Sequence, residues 1–267
     1  MDYRLVVADL DGTLRSRVLG VTPGTRAAIA AAQACGVRVC VATGRMWTSA
    51  APWVRLLAAD SPVILLNGGQ VLDFATGRVL YERRLAPEVA HEALAVLRRE
   101  AGAQIHLYLD GRVYVERPDP LSDAYAADDG VTVDLVPALE PLLARDPYKM
   151  LLIGSPERMA ALGDAVRASG LAVHAVQSEP HYLEILPPGV SKGAALAPLL
   201  AALGVAAEEV IAVGDNWNDL EMIEAAGFGV AMGHAPAGVR ARADHVCGTS
   251  EEDGFREVIE RFVLGGV

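Results

Sequence analysis

The chain has 267 residues, 52% of them hydrophobic and 5% aromatic, with a formal net charge of −11. Its length fits one large domain or two modest ones with a full core, and its composition is that of a soluble globular protein. The negative charge argues against nucleic acid or an anionic membrane surface as partner, because affinity for either rests on basic side chains.

The longest uncharged run, Gly193 to Ala207, is too short to span a bilayer and is broken by Pro198. The N-terminal stretch has no basic segment, and Asp9 interrupts its apolar run, so no secretory signal is expected. Cys35, Cys40 and Cys247 are odd in number and lack metal-ligand spacing, which predicts reduced thiols in a cytoplasmic protein.

Leu5 to Ala8 run into Asp9, and Asp11-Gly12-Thr13 follow at once. An apolar run closed by a turn signal predicts a strand buried on both faces. Its end places two carboxylates at the mouth of a sheet, where open α/β folds put their ligands. Thr22-Pro23 open a helix that runs to Cys35, with Gly36 as its stop. Val37 to Ala42 is a second strand, ending in Thr43-Gly44-Arg45, and a helix follows from Met46 to Ala59. Pro62 to Leu66 is a third strand, ending in Asn67-Gly68-Gly69. This alternation predicts a parallel sheet whose strands deliver their polar ends to one edge.

The rhythm then changes. Gln70–Phe74 and Arg78–Glu82 read as a hairpin, Pro87–Glu100 as an amphipathic helix, and Ile105–Leu109 with Arg112–Glu116 as a hairpin around Asp110-Gly111. Strands are expected at Val131–Val136, Tyr148–Ile153, Val173–Gln177 and Tyr182–Leu186, with a helix at Pro156–Ser169. Pro187-Pro188-Gly189 close this stretch, which predicts an inserted α+β domain over 85–186. Ser191 then caps a helix to Leu203, and the strand Glu209–Val213 ends in Gly214-Asp215-Asn216. A helix Asn218–Ala226, a strand Gly229–Met232 and helices Ala235–Arg242 and Glu251–Leu264 complete the chain. The fold class is therefore α/β, a Rossmann-like parallel sheet with helices on both faces. Its core is discontinuous, 1–84 and 187–267, with the insert between.

Four strand ends thus meet at one edge: Asp9 with Asp11, Thr43, Asn67 and Asp215, joined by Asp219 one helical turn further on. Carboxylates converging there repel one another, and a divalent cation removes the difficulty. Mg2+ suits a few carboxylate oxygens with water and phosphate oxygens. A calcium loop counted from Asp9 fails, since it needs glycine at Leu14 and glutamate at Gly20.

Asp9-Leu-Asp11-Gly-Thr13, Thr43-Gly44-Arg45, Lys192-Gly193 and Gly214-Asp215-Asn-Trp-Asn218-Asp219, in that order, resemble the haloacid dehalogenase superfamily, specifically its Cof-type capped phosphatases. Val230-Ala-Met-Gly233 and Glu252-Asp253-Gly254 extend the resemblance over essentially the whole chain, with His234 as a departure where the family usually has Asn. The resemblance implies a phosphatase with the insert as its cap. It makes Asp9 the nucleophile and Asp11 the general acid and base. Mg2+ would be held by Asp9, the Asp11 carbonyl and Asp215, with Asp219 nearby directly or through water. Thr43 and Lys192 would bind phosphoryl oxygens, and Gly44, Asn67, Gly68 and Asn218 would add donors.

Each of these residues alone has a bland reading, such as a turn, a helix cap or a solvated lysine, and only their joint pattern points to chemistry. Arg45 reads as the partner of an acidic neighbour, and His106, His174, His181 and His234 lack ligand spacing. Glu184 is the one cap residue singled out as a substrate contact. The expected substrate is a small phosphorylated metabolite, sugar phosphates favoured, with nucleotides and phosphorylated cofactors open. A phosphomutase of the same superfamily is one alternative. A non-catalytic nucleotide-binding protein is another, although no Gly-rich loop follows the first strand. Oligomeric state is not legible.

Overall fold

The computed structural model describes residues 3–101 and 104–265 and divides into two compact units. One unit comprises 3–44, 50–82 and 191–265, the other 45–49 and 83–190. Residues 1–2, 102–103 and 266–267, which the expected domain ranges include, lie outside the described residues.

The first unit begins with β1 (Leu5–Asp9), α1 (Pro23–Ala34), β2 (Arg38–Ala42), α2 (Trp47–Leu57), β3 (Val63–Leu65), β4 (Gln70–Leu72) and β5 (Val79–Glu82). Thr22 caps α1 by accepting the Thr25 N–H, and Pro23 fills the first turn as the sequence predicts. The second unit contains α3 (Pro87–Ala101), β6 (Ile105–Leu109), β7 (Arg112–Val115), α4 (Pro120–Asp129), β8 (Val133–Leu135), α5 (Glu140–Leu143), β9 (Lys149–Ile153), α6 (Pro156–Ala168), β10 (His174–Glu179) and β11 (Tyr182–Leu186). The chain returns to the first unit with α7 (Leu196–Leu203), β12 (Val210–Gly214), α8 (Leu220–Ala225), β13 (Phe228–Ala231), α9 (Ala237–Arg240), β14 (His245–Val246) and α10 (Gly254–Val258).

The core sheet runs β14-β13-β12-β1-β2-β3-β4-β5 and is parallel from β14 to β3, with β4 and β5 added antiparallel. Leu5 and Val7 of β1 share a cluster with Leu196 and Leu199 of α7, while Val6 and Ala8 on the opposite face are equally buried. Both faces are covered, and for that reason β1 reads as a continuous apolar run. Successive strands are laid out from β1 towards β3 on one side and from β12 towards β14 on the other. The strand order therefore reverses at β1 and β12, the position where such sheets bind ligands beyond their carboxyl ends.

The second sheet runs β10-β11-β9-β6-β7-β8 and is antiparallel except for β7 with β8. Its alternation is visible in β6. Ile105 and Leu107 join Met150, Leu152, Leu183 and Ile185 under α3 and α6, whereas His106 and Tyr108 face the other way, towards Ser122 and Tyr125 of α4.

Four expectations are corrected. Residues 191–195 form turns, so the helix predicted from Ser191 begins at Leu196. Helices α4 and α5 were not foreseen. The helix expected over Glu251–Leu264 is broken by Asp253 at φ 56, giving a 3-10 turn before α10 and a π turn after it. The helix expected from Asn218 begins at Leu220, after a 3-10 turn over Trp217–Asp219.

Candidate active site

Asp9 ends β1 and Asp215 follows the last residue of β12, two neighbouring parallel strands. With Asp219 they form a buried triad in which one carboxylate oxygen of each lies within 4.8 Å of the others. Lys192 is fully buried beside them, with its ammonium hydrogen-bonded to Asp9 Oδ1 and, at 2.6 Å, to Asp219 Oδ1. No group among the described residues is hydrogen-bonded to Asp9 Oδ2. Asp219 Oδ2 accepts the backbone N–H groups of Asp215 and Asn216 at 2.9 and 3.0 Å, which fixes the loop after β12. Asp215 Oδ1 accepts the Thr13 hydroxyl at 2.8 Å.

The electrostatics follow from burial. It pushes the Asp9 carboxyl well above the usual carboxylate range, with Lys192 pulling down and Asp219 and Asp215 pushing up further. Asp219 is raised for the same reason. Burial acts to lower Lys192, but Asp219 and Asp9 outweigh it and hold the ammonium above its ordinary pKa. One ammonium faces three carboxylates. The excess negative charge and an all-oxygen donor set fit a hard divalent cation.

Beyond β3, Leu66, Asn67 and Gly68 all have positive φ, 55°, 54° and 98°. Three left-handed residues in succession, the first a leucine, are held only where the surroundings demand it. A Cβ on Gly68 would stand 2.0 Å from the Ser191 carbonyl oxygen, so this turn lies directly against the segment that carries Lys192. Asn67 donates its backbone N–H to the Thr43 carbonyl, and its side-chain oxygen accepts from Asn218 Nδ2 at 3.0 Å. The amide of Asn67 also crowds Gly44, where a Cβ would lie 3.1 Å away. Thr43, Gly44, Asn67, Gly68, Asn218 and Lys192 are thus linked by direct contacts. Asn218 Oδ1 is buried without a hydrogen-bond partner.

Asp11 stands apart from the triad. Its carboxylate pairs with Arg15 at 2.7 Å, and that guanidinium stacks over Trp53 at 4.7 Å. The sequence did not single out Arg15 or Thr13. The only signal was their place beside the two acids. His234 Nε2 is 3.7 Å from Asp215 Oδ2, and Asp215 raises its pKa above the usual imidazole range.

In the second unit, Glu184 is buried and holds Lys149 at 2.6 Å, while its other oxygen accepts Ser178 at 2.6 Å. Arg45 pairs with Asp129 at 3.0 Å, as an acidic-partner reading predicts. Cys40 and Cys247 are buried and pushed up to about 12 by that burial, so neither is a ready thiolate. No helix among the described residues is long and apolar enough to cross a membrane.

A family model described as haloacid dehalogenase-like hydrolase matches residues 6–259. The chain belongs to that family. Within the haloacid dehalogenase-like hydrolases it is a Cof-type phosphatase, which removes the non-catalytic alternative. It is 29% identical over 97% of its length to the pyridoxal phosphate phosphatase of Escherichia coli, covering 98% of that protein. It is 28% identical to the 5-amino-6-(5-phospho-D-ribitylamino)uracil phosphatase of Bacillus subtilis, over 99% of this chain and 97% of the other. Among solved structures, a haloacid dehalogenase-like hydrolase from Bacteroides thetaiotaomicron superposes with a TM-score of 0.85 at 30% identity, covering 97% and 99% of the two chains.

Proposed function

We propose that this phosphatase is Mg2+-dependent and hydrolyses small phosphorylated metabolites, sugar phosphates foremost, through an aspartyl-phosphate on Asp9. The observation that carries this is the state of the Asp9 carboxylate. Lys192 fixes one oxygen, and the other is unbonded beside two further acids. A carboxylate so held has Oδ2 available to attack phosphorus. Attack forms the Oδ2–P bond and breaks the P–O bond to the substrate alcohol, whose oxygen needs a proton. Asp11 supplies that proton, then takes one from the water that attacks phosphorus, and the Asp9–phosphate bond breaks to release inorganic phosphate. Ion-paired with Arg15, Asp11 is a carboxylate, so it must leave Arg15 and take up a proton from solvent before it can donate to the leaving oxygen.

Lys192 and Thr43 bind the phosphoryl oxygens, and Gly44, Asn67, Gly68 and Asn218 add donors around them. Asp9, Asp215 and the Asp11 carbonyl would hold the Mg2+, with Asp219 beside them directly or through water. Bound there, Mg2+ supplies Lewis-acid stabilisation of the charge on the transferring phosphoryl group. Both named relatives have small phosphate monoesters as their stated substrates, one of them phosphorylated on a ribityl chain, and this supports the substrate class.

The test is phosphate release from an aryl phosphate and from a panel of sugar and cofactor phosphates, with and without EDTA. Activity that persists in EDTA, or in Asp9→Asn, overturns the reading. A bisphosphate requirement with little phosphate released would indicate a mutase instead.

A further inference from the structure

Of the three buried acids, Asp215 is the one Lys192 does not hold. Asp9 and Asp219 share that ammonium, while among the described residues the one hydrogen bond to the Asp215 carboxylate comes from a neutral hydroxyl, Thr13 Oγ1 at 2.8 Å. His234, at 3.7 Å, is beyond hydrogen-bond range of the other oxygen. The Thr13 bond joins residues 202 apart in the chain and is buried at both ends. Thr13 lies two residues beyond Asp11, in the turn that leaves β1, so this hydroxyl ties the β1 turn to the β12 loop. A second contact acts in the same place. Gly12 has φ 100° and lies so close to Asp215 that a Cβ there would be 2.4 Å from Oδ2. The Asp215 carboxylate is thereby held in one rotation about its own axis, with Oδ1 taken by Thr13 and Oδ2, which has only His234 at 3.7 Å as an ion-pair neighbour and no hydrogen bond among the described residues, offered to a cation.

We propose that Thr13 is a positioning residue for the metal site: its hydroxyl fixes which oxygen of Asp215 is offered to the divalent cation. This rests on the metal reading given above. A donor that orients a ligating carboxylate commonly changes metal affinity about 10- to 100-fold when removed. Its effect therefore falls on the Mg2+ concentration the enzyme needs, and far less on turnover once Mg2+ saturates.

Thr13→Val removes the donor at nearly constant size, Thr13→Ala removes it with no risk of overpacking, and Thr13→Ser keeps it. Mg2+ binding is measured by calorimetry and Mn2+ binding by electron paramagnetic resonance, with folding checked by circular dichroism and melting in EDTA. The expected result is a metal Kd raised about tenfold in the Val and Ala variants and restored to within about threefold by Ser. The Mg2+ concentration for half activity rises in parallel, while kcat at saturating Mg2+ changes little. Wild-type metal affinity in the folded Val or Ala variant overturns the proposal, as does a loss confined to kcat. If the wild-type protein itself binds no divalent cation, the metal reading falls first and this inference with it.

Discussion

Lys192 Nζ lies 2.6 Å from Asp219 Oδ1 and is shared with Asp9, so a single ammonium is the charge partner of both the proposed nucleophile and the acid that braces the β12 loop. Replacing it with methionine keeps the volume and leaves two buried carboxylates uncompensated. We expect kcat/KM to fall about 100- to 1,000-fold, the size of loss seen when one preorganised donor to the reacting group is removed. We also expect a destabilisation of about 3–5 kcal/mol in EDTA, typical of breaking a buried ion pair by removing one partner. Added Mg2+ should return part of that stability, which melting curves with and without the metal will read directly.

Asp9 and Asp11 should separate in a quench experiment. Asp9→Asn should release no phosphate and trap no covalent species. Asp11→Asn, with its attacking carboxylate intact but no base for the water, should accumulate protein heavier by one phosphoryl group after brief mixing with a good aryl phosphate leaving group. Intact-mass spectrometry distinguishes the two. Equal phosphorylation in both variants would refute the assignment.

His106 gives the second unit a pH limit. Its Nδ1 faces the Leu151 carbonyl at 3.2 Å, which can only accept, so Nδ1 carries the proton and Nε2 accepts the Ser122 hydroxyl at 2.8 Å. Burial lowers the imidazole to about 4 from an ordinary 6.5. The unfolded chain therefore binds the extra proton between those values, and stability declines as pH falls from about 6.5 towards 4. The full loss is about 3 kcal/mol. Urea unfolding of the wild type and of His106→Gln across that window should diverge, with the variant showing the flatter profile.

Gly68 should tolerate no side chain. Alanine there combines a left-handed backbone with a Cβ 2.0 Å from the Ser191 carbonyl oxygen, a rigid backbone neighbour. A cost of about 1–3 kcal/mol is expected from the strained backbone alone. Because the displaced segment carries Lys192, activity should fall with stability. Gly77, also at positive φ but with open space around it, serves as the control, since its alanine variant should lose stability and keep its turnover.

Glu184→Gln should remove the carboxylate that holds buried Lys149, and a loss of stability is expected in thermal or urea unfolding. The pairing gives Glu184 a task in holding β11 to β9, in addition to the substrate contact proposed from the sequence.

The parts of the fold that were legible were those whose cause is local. Leu5 to Ala8 announced a strand covered on both faces, and Asp110-Gly111 announced a tight hairpin whose φ values, 48° and 77°, are those such a turn needs. Helix α4 carried its own signals, Asp119 as cap, Pro120 after it and Gly130 at its end. Only Ser122 and Tyr125 are buried along it, so no apolar stripe marked it as a helix. Ser191 does cap its own turn, with its hydroxyl accepting the Ala194 N–H, but the segment also packs directly against Gly68, over 120 residues earlier, a contact its own sequence does not announce. The chemistry of the site was legible as residue types in order. What escaped was the pairing of Thr13 with Asp215, 202 residues away, because a hydrogen bond between distant residues leaves no spacing to read.

The place of β1 in its sheet has a consequence for how the molecule is made. Leu5 pairs with Arg38 on one side and with Val210 on the other. A ribosome delivers the first partner about 30 residues after β1 and the second about 200 residues after it. In the interval the residues of 83–190 are complete and contiguous, so that unit has all its strands before β1 of the first unit is paired on both sides. Until then Asp9 stands at the end of an unfinished edge strand, and Lys192, Asp215 and Asp219 join it only after the residues of 83–190 have been made.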